Sequence, residues 1–166
     1  MKVLVSDSLS QSGLDLLYRQ TDLTVDLKTK LSPTELANLI PDYDALIIRS
    51  ATQVTAKVIR AAKNLKVIGR AGAGIDNIDL ETATQQGILV FNTPTDNTVA
   101  AAEHTITLML ALSRHVLPAG ISLRDGEWSR KRFMGGELYR KTFGVIGVGR
   151  IGSEVIRRLQ AFGMAI

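Results

Sequence analysis

The sequence predicts an α/β fold with a doubly wound parallel sheet, and three observations support that prediction. Short β-branched segments alternate five times with helical segments over the first 95 residues or so. Aromatic residues make up only 5% of the chain, whereas Ala, Val, Ile and Leu are abundant. That composition favours a parallel sheet covered by helices over an aromatic-rich sandwich. The length of 166 residues leaves room for one domain and part of another.

The strands and helices of the first part follow in order along the chain. Each expected strand is a short run of β-branched or aliphatic residues: 2–5, 23–27, 45–48, 66–68 and 88–91. The helices expected between them lie at 10–19, from 33 onwards, at 55–63 and at 80–86. Ser10 is suited to an N-cap, and Ser32 followed by Pro33 and Glu35 has the pattern of a capping box. This alternation is typical of flavodoxin-like or Rossmann-like sheets.

Three loops leave the carboxyl ends of these strands and contain unusual residues. They begin at Arg49-Ser50, at Gly69 and at Asn92. Right-handed crossovers place the carboxyl ends of parallel strands along one edge, and ligands of such folds bind beyond that edge. We therefore expect the binding site to lie on these three loops.

The pattern changes after Pro94. Residues 98–115 form one long segment that is apolar nearly all round, which predicts a helix buried between domains or between subunits. An irregular arm is expected at 117–140, followed by a strand at 142–147 and a helix at 151–162. We place the domain boundary near residues 92–100.

Composition excludes several classes of function. The chain has no cysteine and only two histidines, so thiol catalysis and thiolate or histidine metal clusters are not expected. The start lacks the pattern of a signal peptide, and no apolar run approaches the length of a membrane span, so we expect a soluble cytoplasmic protein without a membrane partner. The net charge of +4 comes largely from a cluster around Arg130. This modest patch suits a small anion, and it lacks the aromatic interleaving of a nucleic-acid binder.

The sharpest motif is a GxGxxG turn at residues 147–152, which follows an apolar segment and opens a helical one. Gly147 permits the tight turn, Gly149 lets the backbone approach a pyrophosphate, and Gly152 lets the helix pack closely. The helix N-terminus and Arg150 favour phosphate. The acidic ribose-binding residue expected about 20 residues later falls outside the chain, so NAD and NADP are not distinguished, and a mononucleotide-binding half needs at least a βαβ unit.

The other candidate sites each have a simpler structural explanation. The glycine loop 69–77 can turn amide groups toward an anion, with Arg70 adding charge, or it is a flexible turn. Arg49 suits a carboxylate or phosphate, or it is a surface arginine paired with an acid. His104 is expected to be a satisfied structural histidine and not a catalytic one. Trp128 and its basic neighbours form an exposed anion patch or a solvated arm.

Together these motifs resemble the D-isomer-specific 2-hydroxyacid dehydrogenases. The resemblance rests on RSATQVTAKVI, on VIGRAGAGIDNIDLETATQQGILVFNTP, on NTVAAAEHTITLMLALSR, on DGEWSRKRFMGGEL and on FGVIGVGRIGSEV, and it extends over residues 3–164. It implies two Rossmann-like domains with a cleft between them, a substrate-binding domain at 1–95 and a truncated cofactor-binding domain at 96–166. It also implies NAD as the cofactor and a small anionic 2-hydroxyacid as the substrate. It also implies a homodimer or homotetramer whose interface contains the long helix and the following arm.

The resemblance assigns expected roles to individual residues. Those expected to contact the substrate are Arg49, Ser50, Arg70, Ala73, Gly74, Asn97 and Arg130. Within that set, Arg70 and Arg130 resemble residues near a substrate phosphate, Arg130 by reaching across a dimer, and Asn97 resembles a residue at the interdomain hinge. Those expected to contact the cofactor are Ala73, Gly147, Gly149, Arg150, Ile151 and Gly152. Relatives often carry Thr at position 73, so Ala73 lacks a hydroxyl but keeps its backbone.

The family's catalytic arginine, glutamate and histidine lie later in the cofactor domain, so the resemblance implies that no residue of this chain is catalytic and that the chain alone is inactive. Three other interpretations stay open: a family dehydrogenase with a different substrate, a non-enzymatic dinucleotide-binding or dimerisation module of the corepressor kind, and an isolated substrate domain made for ligand-binding work. We also expect apolar surface on the helix 151–162, and with it self-association.

Overall fold

Five short parallel strands form the sheet of the first part of the molecule. The computed structural model describes all residues from Met1 to Ile166, and the strands have the order β2-β1-β3-β4-β5. Their bounds are β1 Lys2–Val5, β2 Thr24–Leu27, β3 Ala45–Ile48, β4 Val67–Arg70 and β5 Leu89–Asn92. Every neighbouring pair is parallel. The predicted doubly wound α/β fold is therefore confirmed.

Four helices connect these strands: α1 Gln11–Tyr18, α2 Pro33–Leu39, α3 Ala56–Ala61 and α4 Leu80–Gln85. The predicted capping box is present, because the Ser32 hydroxyl accepts the Glu35 amide hydrogen while the Glu35 carboxylate accepts the Ser32 amide hydrogen. The Ser32 hydroxyl also donates to the Glu35 carboxylate at 2.7 Å, and this bond, together with that from the Ser32 amide, lowers the pKa of Glu35. Asp79 caps α4 by accepting the Thr82 amide hydrogen, and that bond lowers the pKa of Asp79.

The order of the strands decides which face each helix covers. The chain runs from β1 outward to β2, returns across β1 to β3, and continues outward to β5, so right-handed crossovers put α1 on one face and the other helices on the opposite face. The larger core lies under α2, α3 and α4 and includes Leu4, Leu46 and Ile59. The smaller core lies under α1, where Leu14 packs against Val5.

The chain divides into two compact units, which we call unit 1 (Met1–Asp96) and unit 2 (Asn97–Ile166). Unit 2 contains α5 Thr98–Ser113, α6 Val116–Arg124, a 3₁₀ turn at Arg130–Phe133 and α7 Arg150–Ala161. Its core is the contact of α5 with α7, formed by the buried residues Ala102, Ile106, Val155 and Leu159.

Two predictions for unit 2 are wrong. Residues 142–147 do not form a strand: Thr142 makes one isolated bridge, to Ala165, and Ile146 is fully exposed. A strand needs a neighbour to pair with its backbone groups, and unit 2 offers this segment only that single bridge. The arm predicted to be irregular contains α6. Pro118 does not prevent this helix, because it lies in the first turn, where the backbone nitrogen needs no hydrogen-bond partner.

The apolar surface of unit 2 lies partly on the helix predicted to expose it and more on two other helices. The helix predicted at 98–115 ends at Ser113, and it buries only the face that carries Ala102 and Ile106. On α7 the apolar face is buried through Val155 and Leu159, whereas Ile151 and the C-cap residue Phe162 are 38% and 41% exposed. More of the exposed large apolar residues lie on α5 and α6: Val99, Leu108, Leu112, Val116, Leu117, Ile121 and Leu123. No single helix meets the length and hydropathy of a membrane span; only α5 and α6 together reach them, across a bend of 62°.

Candidate functional site

The first candidate site lies at the point of the sheet where the strand order reverses. β1 and β3 are neighbours there, and the chain leaves them in opposite directions. The carboxylate of Asp7, just beyond β1, accepts the amide hydrogen of Arg49 at 2.6 Å and that of Thr52 at 3.2 Å. Asp7 is 7% exposed, so its charge is directed inward at the loop after β3. Doubly wound sheets bind their ligands at such a reversal.

The hydroxyls beside Asp7 strengthen this attachment. The Thr52 and Ser6 hydroxyl oxygens lie 3.0 Å apart, and the Thr52 hydroxyl also donates to the carbonyl oxygen of Ser6 at 3.3 Å. Both residues are buried. Buried residues thus anchor the loop after β3 on its inner side, while Arg49 and Ser50 themselves are exposed. The Arg49 guanidinium makes one hydrogen bond within the chain, a 3.3 Å contact with the carbonyl oxygen of Ser8.

A buried carboxamide joins the loop after β3 to the glycine loop after β4. The Asn77 Nδ2 group donates to the carbonyl oxygens of Arg49 and Thr52, each at 2.7 Å. Its Oδ1 accepts a hydrogen bond from Arg70 Nε at 2.7 Å. Backbone bonds from Val54 to Asn77 and from Asp79 to Val54 continue the same attachment. Two loops that are well separated in sequence therefore form one hydrogen-bonded surface.

Arg70 lies beneath the glycine loop, at the end of β4. Its side chain is 9% exposed, and Nη2 lies 3.9 Å from the Asp76 carboxylate, which is itself 88% exposed. A Cβ at Gly72 would stand 2.7 Å from Arg70 Nη1, and Gly72 has φ +157°. A side chain at position 72 would make the Arg70 guanidinium shift, so glycine there leaves the guanidinium in its observed position.

The loop after β5 completes this edge. Asn92 Nδ2 donates to the carbonyl oxygen of Ala73 at 2.7 Å, and the Thr93 amide donates to the carbonyl oxygen of Gly72 at 3.2 Å. The carbonyl groups of the glycine loop are thereby engaged from the side. The structure brings five predicted residues to this one edge of unit 1: Arg49, Ser50, Arg70, Ala73 and Gly74. An edge with two arginines and a glycine loop is suited to bind an anion.

The second candidate site is the glycine turn that opens α7 in unit 2. Gly147 has φ +90°, a conformation that side chains rarely adopt, and Gly149 is the N-cap of α7. A Cβ at Gly152 would stand 2.5 Å from the carbonyl oxygen of Gly147, so the helix needs glycine there to approach the turn. Arg150 and Ile151 begin α7, whose first amide groups have no partner within the helix. The turn is suited to bind a phosphate group.

Three other residues singled out in the sequence lie elsewhere in unit 2. Asn97 is exposed at the N-cap position of α5, and its side chain makes no capping hydrogen bond. Arg130 is exposed and lines a cavity of about 330 Å³ together with Trp128 and Phe133. His104 is exposed on α5 and makes no hydrogen bond within the chain.

Sequence reasoning gave no role to the residues that support the first site, namely Asp7, Thr52, Asn77 and Asn92, although Asn77 and Asn92 lie in loops that it placed at the site. Asp7 and Asn92 follow or end apolar strands, as Arg49 does, so the rule that selected Arg49 could have selected them too. Thr52 and Asn77 lie inside loops, where neither spacing nor strand position distinguishes a supporting residue from a solvated one. Only their contacts in three dimensions identify them.

Comparison with known proteins assigns the family. A family model described as D-isomer specific 2-hydroxyacid dehydrogenase, catalytic domain, matches residues 3–163, so the chain belongs to this family. The D-3-phosphoglycerate dehydrogenase of Synechocystis is 52% identical over 165 residues, which are 99% of this chain and 29% of the relative. That of Archaeoglobus fulgidus is 51% identical over 166 residues, 100% of this chain and 31% of the relative. The chain thus spans about 30% of the length of these relatives.

Solved structures agree with the family assignment. The TT0316 protein of Thermus thermophilus superimposes with a TM-score of 0.89 at 37% identity, covering 99% of this chain and 54% of that one. The D-lactate dehydrogenase of Aquifex aeolicus, solved with NAD and lactic acid, superimposes with a TM-score of 0.85 at 27% identity, covering 99% and 49%. The resemblance stated from the sequence motifs is therefore confirmed.

Proposed function

We propose that this chain supplies the substrate-binding unit and part of the cofactor-binding unit of an NAD-dependent dehydrogenase that oxidises 3-phospho-D-glycerate to 3-phosphooxypyruvate. The observation that carries the proposal is the supported edge of unit 1, where Arg49 and Arg70 adjoin a glycine loop at the reversal of the strand order. The identity of about 50% to D-3-phosphoglycerate dehydrogenases supports this choice of substrate.

In this proposal unit 1 binds the anionic groups of the substrate. Arg49 is exposed with one weak partner, and the terminal nitrogens of Arg70 make no hydrogen bond within the chain, so both guanidinium groups keep donors for a carboxylate or phosphate. Amide groups of the loop around Gly74 provide further donors. Ala73 contributes only backbone, because its methyl group cannot donate. Fixing the substrate in this way lowers the entropic cost of reaching the reacting geometry.

The cofactor role falls to the turn at residues 147–152. Its residues fit a pyrophosphate: Gly149 leaves the backbone open to close approach, and Gly152 is required by the 2.5 Å approach of its Cβ position to the backbone. Arg150 adds a positive charge at the start of α7. NAD, when bound, accepts the hydride from the substrate carbon that bears the hydroxyl. We assign no catalytic residue to this chain, because the family resemblance implies that the acid–base group lies later in the cofactor domain.

We also propose that the exposed apolar residues of α5 and α6 form a subunit interface. Leu112 is 79% exposed and Leu117 is 72% exposed, and both belong to one run of large apolar side chains. Contiguous exposed apolar surface of this kind typically marks a protein interface. In such a homo-oligomer, Arg130 is proposed to reach the substrate phosphate of the partner subunit. Replacing Leu112 and Leu117 with lysine should convert an oligomer into a monomer in light scattering, and a wild-type chain that is monomeric would contradict this.

The substrate is tested by titrating the 166-residue chain with 3-phosphoglycerate while recording amide NMR spectra. We expect shifts at Arg49, Ser50, Arg70 and the glycine loop, with weaker effects from D-lactate or glyoxylate, which lack a phosphate. Arg49→Gln should weaken this binding measurably, and the matched variant Arg60→Gln, on the exposed surface of α3, should not. Equal binding of the unphosphorylated acids would favour a different 2-hydroxyacid dehydrogenase of the family.

Turnover is tested in a chimera in which this chain replaces the matched segment of the Synechocystis enzyme. We expect NAD reduction with 3-phosphoglycerate, while this chain alone should show none. A folded chimera that binds NAD and 3-phosphoglycerate without turnover would favour a non-enzymatic binding module.

A further inference from the structure

We propose that Asn77 is a positioning residue that holds Arg49 and Arg70 in one fixed relation, so that the two arginines act on a single anion. The proposal deepens the proposed function, on which it rests, by naming the residue that sets the geometry of the substrate-anion site. Asn77 itself is 5% exposed and faces inward, so its role is exerted through the two arginines.

Nearly all of the hydrogen-bonding capacity of the Asn77 carboxamide is satisfied within the chain. Both Nδ2 hydrogens are donated, one to the carbonyl oxygen of Arg49 and one to that of Thr52, and Oδ1 accepts from Arg70 Nε, with all three distances at 2.7 Å. One planar group therefore relates the loop after β3 to the side chain at the end of β4. Because the three bonds are made by one planar group, a rotation of Arg70 and a shift of Arg49 are coupled through Asn77.

The bond to Arg70 determines which donors that guanidinium presents. Nε is bound to Asn77, so Nη1 and Nη2 are the groups that lie toward the glycine loop, with Nη1 beside the Cβ position of Gly72. A guanidinium is a planar fork, and fixing one nitrogen fixes the plane of the others. Without Asn77, the buried Arg70 keeps only the exposed Asp76 at 3.9 Å, a contact that defines no plane.

The bond to Arg49 fixes the backbone from which the other guanidinium projects. The Arg49 amide is held by Asp7 at 2.6 Å and its carbonyl by Asn77 at 2.7 Å, so both peptide groups that flank its Cα are anchored. Only the exposed side chain is left free to adjust to a ligand.

The chemistry of the site requires asparagine. Aspartate could accept from Arg70, but it would place a carboxylate oxygen against the carbonyl oxygens of Arg49 and Thr52, where the wild type has donors. Asn77→Asp therefore keeps one contact and turns two into repulsions. Asn77→Ser removes all three by shortening the side chain.

The test measures the Kd of 3-phosphoglycerate, and of inorganic phosphate as a second probe, for the 166-residue chain and its variants by NMR titration. We expect Asn77→Ser and Asn77→Asp to weaken binding at least tenfold. Arg49→Gln changes an exposed side chain and leaves the backbone bonds of Arg49 in place. In this background, changing Asn77 should raise Kd by less than half the factor by which it raises Kd in the wild type. The matched control is Asn64→Ala, which removes a 2.8 Å side-chain bond to the carbonyl oxygen of Pro41 and should leave Kd unchanged.

Each outcome has a distinct meaning. If the wild type binds neither probe, the proposed function fails. If the wild type binds 3-phosphoglycerate but a folded Asn77 variant binds equally well, or if the Asn77 and Arg49 losses multiply in full, the positioning role is overturned. The Arg70 Nε–H signal of the wild type gives a second measurement that needs no variant. We expect its hydrogen to exchange more slowly than that of the exposed Arg60, and equal exchange rates would overturn the proposal.

Discussion

The two glycine-rich turns of this chain differ in what lies beneath them. The loop after β4 in unit 1 is supported by the buried residues Arg70 and Asn77, and Asn77 hydrogen-bonds it to the loop after β3, which Asp7 anchors in turn. The turn before α7 in unit 2 follows a segment that makes one isolated bridge and leaves Ile146 fully exposed. Both turns have the glycine conformations their motifs require. The glycines thus set the backbone conformation of each turn. In unit 1 the sheet and its buried polar contacts also fix where the turn points.

This difference predicts that the stability of unit 1 depends strongly on its core. Some residues of unit 2 are equally apolar but exposed, and they should contribute little to its stability. Leu46→Ala, at a fully buried position of β3, should lower the free energy of unfolding of unit 1 by about 2–5 kcal/mol. Leu112→Ala, at a position of α5 that is 79% exposed, should change that of unit 2 by less than about 0.5 kcal/mol.

Urea unfolding followed through the amide signals of each unit measures both values. A large loss for Leu112→Ala in a dilute, monomeric sample would show that α5 is more completely packed than its exposure indicates, and the contrast between the units would fail.

A second prediction compares glycines within unit 2. Gly152→Ala should lower the free energy of unfolding of unit 2 by about 1–3 kcal/mol, because the added Cβ would meet the Gly147 carbonyl oxygen at 2.5 Å. Gly120→Ala places the same methyl group on α6 with no atom within 4 Å, and it should stabilise the helix by up to about 1 kcal/mol. Both are read from the same urea curves, and equal signs for the two variants would contradict the close approach of α7 to its turn.

The fold of unit 1 could be predicted from the sequence because each of its elements has a local signal. Ser32 and Glu35 mark a helix start, Gly87 marks a helix end, and the apolar run 45–48 coincides with β3. In unit 2 the apolar run 143–146 has the same strand pattern but forms no strand, because pairing depends on a neighbour that the pattern does not specify. Helix α6 was missed because Gly126, Trp128, the basic residues after it and the Gly135-Gly136 pair indicated an irregular segment over the whole of 117–140.

The candidate site could be predicted only in part, for a related reason. Arg49 and the glycine loop were found because strand ends and glycine spacing are visible in one dimension. The contacts from Asn77 to Arg49 and Arg70 span 28 and 7 residues, and no local pattern encodes a bond across 28 residues. The burial of Arg70 was also not predictable, since charged residues are rarely buried unless they are paired.

A third prediction concerns the helix cap whose sequence signal was clear. Ser32→Ala should lower the free energy of unfolding of unit 1 by about 1 kcal/mol, because it leaves the Glu35 amide without its acceptor. It should also raise the pKa of Glu35 toward its ordinary value, since the Ser32 hydroxyl is the main group that lowers it. Carbon-detected NMR of the Glu35 carboxyl measures this shift. Ser12→Ala, which removes a hydroxyl in α1 that caps no amide, is the matched control, and an equal loss in both variants would contradict the capping role.

The smallest expected effect is a difference between the two units in how their stability depends on acidic pH. Hydrogen bonds from Arg157 and Arg158 lower the pKa of Glu154 in unit 2, and the Thr82 amide lowers the pKa of Asp79 in unit 1. A lowered folded-state pKa contributes stability that is complete above the ordinary carboxyl pKa of about 4 and is lost as the pH falls through the lowered value. Glu154→Gln should therefore make the free energy of unfolding of unit 2, and not that of unit 1, less dependent on pH in the acid range. Asp79→Asn, which keeps an N-cap acceptor, should do the same for unit 1 alone. Urea midpoints measured from about pH 5 down to about pH 2 for each unit give the test. A single variant that flattened both curves would show that the units do not titrate separately, and it would remove the basis for comparing their turns as independent structures.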